Sequence, residues 1–273
     1  MTEKEYIEKL EKQTKMINRI KETTRRNFQD MVNLLTSTIS ISSPYLGGHL
    51  RRVAENAKDL ADQINEDKEE AYSVYYAGLL HDIGLLGMTE DVISKSSSEM
   101  TEEEFNEYRK HPETSESIIS TVYDLKRICK IIRHHHEDLN GNGYPDGISG
   151  EAIPQGARIL RIVNDYDNLL YKDGLSETKA VKSLQNGAGS LYDPEILERF
   201  VNHLRSCGLY SDAEEEKVKV SELSEGQFIL DDIYLENGML LIPRGVFLNS
   251  VKMKKITAFS SLVTRDYTVR VRK

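Results

Sequence analysis

A chain of 273 residues, 38% hydrophobic and 30% charged, can bury a sizeable core as one large domain or as a medium domain joined to a small one. No apolar run approaches the ~18 residues of a membrane span, and a net charge of −9 argues against a dedicated binder of duplex nucleic acid. Cys129 and Cys207 form neither a pair motif nor a metal spacing, and the charged start has no signal-peptide apolar stretch, so a disulfide framework is excluded and a reducing, cytoplasmic setting without membrane contact is expected.

Residues 2–39 predict one long helix, free of Pro and Gly and rich in Glu, Lys, Arg and Gln. A seam with alternating spacings of four and three runs through Tyr6, Leu10, Gln13, Ile17, Ile20, Thr24, Asn27, Met31 and Leu34, and six of these nine are apolar. Two readings fit: an amphipathic helix laid on the main domain, or a coiled coil that joins two copies in a homodimer. Helical spacing continues from about 42 to 206. Leu50, Val53, Ala54, Ala57, Leu60, Ala61 and Ile64 mark one helix, and Thr101 with Glu104 forms a capping box before another. Residues 123–136 predict a helix around Ile128, Ile131 and Ile132. Pro154 and Gly156 precede the next, and Asp193-Pro194 opens a helix to about Ser206. An acidic bridge, Ser211 to Glu216, follows, and the period then turns extended through Val218, Val220, Phe228, Ile229, Leu230, Ile233 and Leu235 to the hairpin signal Asn237-Gly238. A short helix near 249–260 and an end strand from Tyr267 to Arg272 complete the chain. The expected fold is mainly α: an N-terminal helix (1–40), a helical bundle (41–210) and a small β-rich module (217–273).

The seven histidines are unevenly informative. His81-Asp82 follows an apolar run, and His135-His136-Glu137 ends another. The intervals are 32 residues from His49 to His81, 29 from Asp82 to His111 and 24 from His111 to His135, each about one helix plus a loop. Facing helices of a bundle that each donate a ligand to an internal metal give such intervals, as do unrelated core histidines, since helix-sized spacings are common. Imidazoles with a carboxylate and no ligating cysteine suit a hydrolytic centre better than a structural zinc site. His134 and His203 are expected at the surface, Cys129 in the core. The DLNGNG loop from Asp138 fails as a calcium loop, because Ser149 stands where a bidentate Glu is needed.

Five strings together resemble the HD-GYP family of cyclic-dinucleotide phosphodiesterases: GGHLRRVAE around His49, LLHDIG around His81, YRKHPETSESII around His111, HHEDLNGNGYPDGISGEAIPQGARIL from His135, and YDPEILERF from Tyr192. The resemblance covers about residues 40–205. It implies an HD-type bundle that hydrolyses cyclic di-GMP with two divalent ions, Fe, Mn or similar. It implies metal ligands at His49, His81, Asp82, His111, His135, His136 and Asn164, with His81 and Asp82 as the catalytic pair and Asp82 bridging the ions. It implies substrate contacts at Gly143, Tyr144 and Pro145, with Lys172 as the nearest cation.

The chain departs from the family pattern at several points. Leu85 replaces a Lys expected to contact the scissile phosphate, Asn164 replaces an Asp ligand, and Asn140 replaces an Asp of the signature loop. Tyr45 stands where some members add a Glu ligand, and Asp173-Gly174-Leu175 stands near the place of an Arg-Pro-Tyr segment. Three functions follow from this mixture: attenuated hydrolysis of cyclic di-GMP, action on another small nucleotide, or a non-catalytic domain that binds a nucleotide or a protein partner.

Overall fold

The computed structural model describes residues 3–64, 68–122, 125–210, 215–235, 240–244, 246–258 and 268–272. The chain divides into two compact units, residues 1–175 with 183–199, and residues 176–182 with 200–273.

The first unit is helical. Helix α1 spans Glu3–Ser42, α2 Pro44–Ile64 and α3 Lys68–Leu80. A 3-10 turn at Ile83–Gly87 leads to α4 (Glu90–Ser94), α5 (Glu102–Tyr108), α6 (His111–Ile119) and α7 (Lys126–Arg133). Then come α8 (Gln155–Tyr171), α9 (Glu177–Asn186) and α10 (Pro194–Ser206), the last two divided between the units. Helix α2 buries Leu46, Leu50, Val53, Ala57, Leu60 and Ala61, one stripe at the period of 3.6. Against it runs α3, and Gly78 sets how close they come: a Cβ there would stand 2.6 Å from the Cα of Ala54. Helix α8 supplies Ile159, Leu160, Ile162 and Val163, all fully buried. The last turns of α1 pack through Val32, Thr36 and Ile39, and Phe28 meets Tyr76 edge-on at 4.8 Å.

The predicted caps form. Thr101 and Glu104 exchange both bonds of a capping box, and the Asp193 carboxylate accepts from the backbone of Glu195 and Ile196. One prediction needs correction. The helix expected over 123–136 ends at Arg133, and His134–His136 lie in a turn beyond it. Turning the chain there lets His135 and His136 point inward, whereas His134 folds back to bond the Lys130 carbonyl.

Within the second unit, strands β1 (Glu215–Lys219), β2 (Phe228–Ile229), β5 (Val246–Phe247) and β6 (Thr268–Arg272) form an antiparallel sheet in the order β1-β6-β2-β5. Glu215 and Glu216, read from sequence as part of the acidic bridge, already belong to β1. Strands β3 (Ile233–Tyr234) and β4 (Leu240–Ile242) pair antiparallel. Asn237-Gly238 between them lies outside the described residues, as does Tyr267. Helix α11 (Ser250–Ala258) adds Ile256 to a core of Ile229, Ile233, Leu241, Val269 and Val271. The fold is mainly α with a small C-terminal β module, as the periodicity implied. Among the described residues no helix is long and apolar enough to cross a membrane.

Candidate metal centre and adjoining pocket

Four histidine side chains are oriented through Nδ1. His81 bonds the Gly78 carbonyl at 2.8 Å, His111 the Tyr108 carbonyl at 2.6 Å and His135 the Ile132 carbonyl at 2.6 Å. Each acceptor lies three residues before its histidine. His49 instead bonds the Asp167 carboxylate at 2.7 Å. A carbonyl or carboxylate only accepts, so each Nδ1 carries a proton, and in the neutral ring Nε2 then carries a lone pair.

Those lone pairs converge. His49 Nε2 stands 3.3 Å from His81 Nε2, and His111 Nε2 stands 3.2 Å from His135 Nε2. Asp82 lies between the pairs. Its Oδ2 is 3.5 Å from the Nε2 of both His49 and His81, and its Oδ1 is 3.1 Å from His111 Nε2 and 3.8 Å from His135 Nε2. Asn164 Oδ1 is 3.3 Å from His81 Nε2. All these residues are buried, and Asp82 Oδ1 has no hydrogen-bond partner. Acceptor facing acceptor in a buried space is unfavourable unless a cation sits between them. Two groups, His49–His81–Asp82 and His111–His135–His136, have donor atoms close enough to share an ion. Nitrogen and carboxylate donors with no thiolate suit a divalent transition metal, so the residues present fit a divalent centre.

The protonation states of three imidazoles agree with this role, whereas the two carboxylates beside His49 favour its charged form. Burial pushes His81 down to about 4 and holds His135 and His136 well below the usual imidazole range, so all three are neutral near pH 7. Burial alone would raise Asp82, but the surrounding imidazoles, His81 and His111 foremost, hold it well below the carboxylate range. For His49, burial lowers the value, and the bonds to Asp167 and Asp82 outweigh it.

Behind these side chains is a supporting layer that the sequence reading did not assign. Arg52 clasps both oxygens of Asp167 at 2.7 and 2.9 Å while its guanidinium lies 3.7 Å from the Tyr171 ring centre. Arg161 approaches His136 Nδ1 at 3.3 Å and pairs with Asp165 and Asp138 at 2.9 and 3.0 Å. His136 is thus the one imidazole of the centre whose Nδ1 meets a donor. Glu137 accepts from the backbone of Asp146 and Gly147 and so clamps the signature loop from below. The clue to Asp167 and Arg52 in sequence is their helical spacing from Asn164 and His49.

The signature residues split. The Tyr144 ring stacks on His136, 4.7 Å apart and 15° from parallel, and lines the adjoining pocket. Gly143 lies under the loop: a Cβ there would fall within 2.5 Å of the His136 carbonyl oxygen and the Glu137 Cα, so only glycine fits. Pro145 follows through a cis peptide and is not part of the pocket wall. Lys172 lines the pocket, with Nζ 5.1 Å from the Tyr108 ring centre. Leu85 is fully buried and also absent from that wall. Asn140 is exposed: it accepts from the Asn142 backbone and donates to Ser190 Oγ at 2.9 Å.

Residues 33–196 match the HD domain family, and the chain belongs to it. Over 174 residues it is 31% identical to the cyclic di-GMP phosphodiesterase response regulator RpfG of Xanthomonas campestris, covering 60% of this chain and 46% of that protein. Over 169 residues it is 28% identical to 3'3'-cGAMP-specific phosphodiesterase 3 of Vibrio cholerae, covering 60% of this chain and 36% of that protein. The chain therefore spans less than half the length of either relative. Among solved structures, Bd1817, a HDG"Y"P protein from Bdellovibrio bacteriovorus, shares the fold with a TM-score of 0.51 at 21% identity, over 57% of this chain and 51% of that one. The relatives bear out the likeness to the HD-GYP branch.

Proposed function

We propose that the chain hydrolyses a phosphodiester bond of a cyclic dinucleotide, cyclic di-GMP first, with two divalent ions of the Fe or Mn kind. The observation that carries this reading is Asp82, whose two oxygens face separate pairs of imidazole lone pairs. A carboxylate so disposed bridges two cations. His49, His81 and Asp82 would hold one ion, with Asn164 as a neutral oxygen donor, and His111, His135 and His136 the other. When bound, such a pair polarises a phosphoryl oxygen and makes water a nucleophile near neutral pH. The chain's own residues orient and exclude: the Nδ1 partners fix four imidazoles, Gly143 and Pro145 shape the loop, and Tyr144 and Lys172 receive the substrate. The relatives named for cyclic di-GMP and 3'3'-cGAMP support a cyclic dinucleotide.

Leu85 and Asn164 bear on the rate. Neither supplies the charge that the family pattern has there, and developing charge on the phosphate needs other stabilisation. This favours slow turnover, and it supports a second reading in which the domain binds its nucleotide, or a protein partner, and signals without cleaving. The seam of α1 also supports a homodimer: Tyr6, Ile17, Ile20 and Leu34 are each at least half exposed.

The test joins metal analysis to turnover. Chain loaded with Mn or Fe is incubated with cyclic di-GMP and with 3'3'-cGAMP, and products are separated by chromatography. Hydrolysis of either, with metal content at least halved in Asp82→Ala, is the expected result. Unchanged metal in that variant would remove the bridged centre. Nucleotide binding without cleavage would favour the second reading.

A further inference from the structure

Tyr144 meets His136 face to face only if the loop that carries it is held in place. That loop, Asp138 to Gly150, contains four glycines, and two of them, Gly141 and Gly147, take φ of +84° and +64°. A segment so rich in glycine has little local preference for one shape. Ties from outside must supply it, and beside Tyr144 they gather on one residue, Asp146.

The backbone N–H of Asp146 donates to Glu137 Oε1 at 2.7 Å, and that of Gly147 to the same oxygen at 3.1 Å. The Asp146 carboxylate is held by Arg133: Nε donates to Oδ2 at 2.7 Å and Nη2 to Oδ1 at 2.8 Å. The third guanidinium nitrogen, Nη1, donates to Glu116 of α6 at 2.8 Å, and Glu113 of that helix lies 3.5 Å from Nη2. His134 Nε2 stands 3.0 Å from Asp146 Oδ2. One arginine at the end of α7 thus ties the loop of Tyr144 to the helix that begins at His111 and to the turn that carries His135 and His136.

Stability alone is a poor account of this arrangement. The Arg133 and Asp146 side chains are 26% and 34% exposed, and ion pairs in contact with water contribute little. A two-pronged contact from a planar fork fixes direction as well as distance. Direction is what the ring requires: Tyr144 lies two residues before Asp146, with His136 stacked at 4.7 Å and the Arg109 guanidinium 4.8 Å from its ring centre. Neither of those face contacts fixes the backbone that carries the ring.

We propose that Arg133 is a positioning residue: its two-pronged hold on Asp146 sets the Tyr144 ring on His136 and so shapes the wall between the metal centre and its pocket. Arg133 itself does not line that pocket. The inference rests on the reading of His136 and Tyr144 as parts of the centre and its substrate pocket.

Histidine ring NMR of the full chain, with zinc in excess as a diamagnetic ion, tests it. Ring protons of His136 beneath a stacked tyrosine resonate upfield, and Tyr144→Leu identifies them by removing that shift. Arg133→Gln and Asp146→Asn are each expected to remove most of the same shift. The double variant should lose no more than either alone, because both act through one contact. Arg133→Lys keeps the charge and loses the fork, so it should recover only part of the shift. Wild-type signals from His49 and His81 show that each variant is folded. Should Arg133→Gln lose those signals too, Asp146→Asn decides alone. Affinity for cyclic di-GMP should fall together with the shift. If Arg133→Gln melts lower yet keeps the His136 signals of wild type, Arg133 is a structural ion pair and the positioning role falls. Full recovery in Arg133→Lys would overturn the two-pronged hold. A chain that shows the expected shifts but neither binds nor cleaves cyclic di-GMP loses the substrate reading and keeps the positioning role. A chain that cleaves it while both single variants leave His136 unmoved keeps the substrate reading and loses the positioning role.

Discussion

Gly143 shows how one residue can be fixed by sterics alone. It needs no left-handed backbone; it needs room, because the loop folds directly over the backbone of residues 136–138. Gly143→Ala must push the loop off that backbone and with it the Tyr144 ring off His136. We expect a loss of about 1–3 kcal/mol, read as a fall of several degrees in melting temperature, together with weaker nucleotide binding. Asp167 acts at one remove. Its carboxylate orients His49 and is itself held by Arg52, so Asp167→Ala frees the imidazole and strands a guanidinium. Loss of such a supporting partner typically weakens metal binding about 10- to 100-fold, and a competition titration with a chromogenic chelator would measure it. An unchanged affinity would assign Asp167 a structural role only. The histidines were legible in sequence because they sit in contiguous motifs. Asp167 has no such signal, since its partner His49 lies 118 residues away in the chain. Asn140 likewise finds its partner at a distance: Ser190, 50 residues on, accepts its amide proton.

Among the elements, α1 carries two apolar faces. Val32, Thr36 and Ile39 are buried within the first unit, while the seam through Ile17, Ile20, Met31 and Leu34 is exposed over the same helix. The two readings of this helix were offered as alternatives, but different faces of one helix can serve both. A lone helix in water is marginal, and an apolar stripe several turns long is a ready surface for a second copy. Replacing Ile17 and Ile20 together by Lys should convert a dimer to a monomer in light scattering at micromolar concentration. Turnover per chain should change little, because both residues lie far along the helix from the metal ligands. A wild-type chain that is monomeric throughout would leave the seam without this role. Element boundaries were the weaker part of the sequence reading: the helix assigned to 123–136 stops at Arg133, because three successive histidines read as helix by spacing alone while the side-chain bonds of His134 and His135 close a turn.

At the scale of the molecule, the first unit buries a set of acceptors that oppose one another, and its stability should depend on what lies between them. Any ligand bound only by the folded state stabilises it by mass action, about 2.7 kcal/mol at a hundredfold excess over its dissociation constant. Removing metal with a chelator should therefore lower the melting temperature by several degrees, and adding Mn should restore it. The same treatment of Asp82→Ala should shift it far less. A chain whose melting is indifferent to chelator would argue against a bound ion in the native state.

The bonds that aim the four imidazoles differ in how far they reach. His81, His111 and His135 take their orientation from a carbonyl three residues earlier, so each is aimed as soon as its own turn forms. His49 is aimed by a residue of α8, across most of the domain's length. Closing a long loop is slower than closing a short one. During refolding, the His111–His135 side of the cage is therefore expected to form before the His49 side, which waits for α8 to dock on α2. The Asp167–His49 bond is in this sense the final clasp of the domain, and capture of an ion on that side is a clock for its completion.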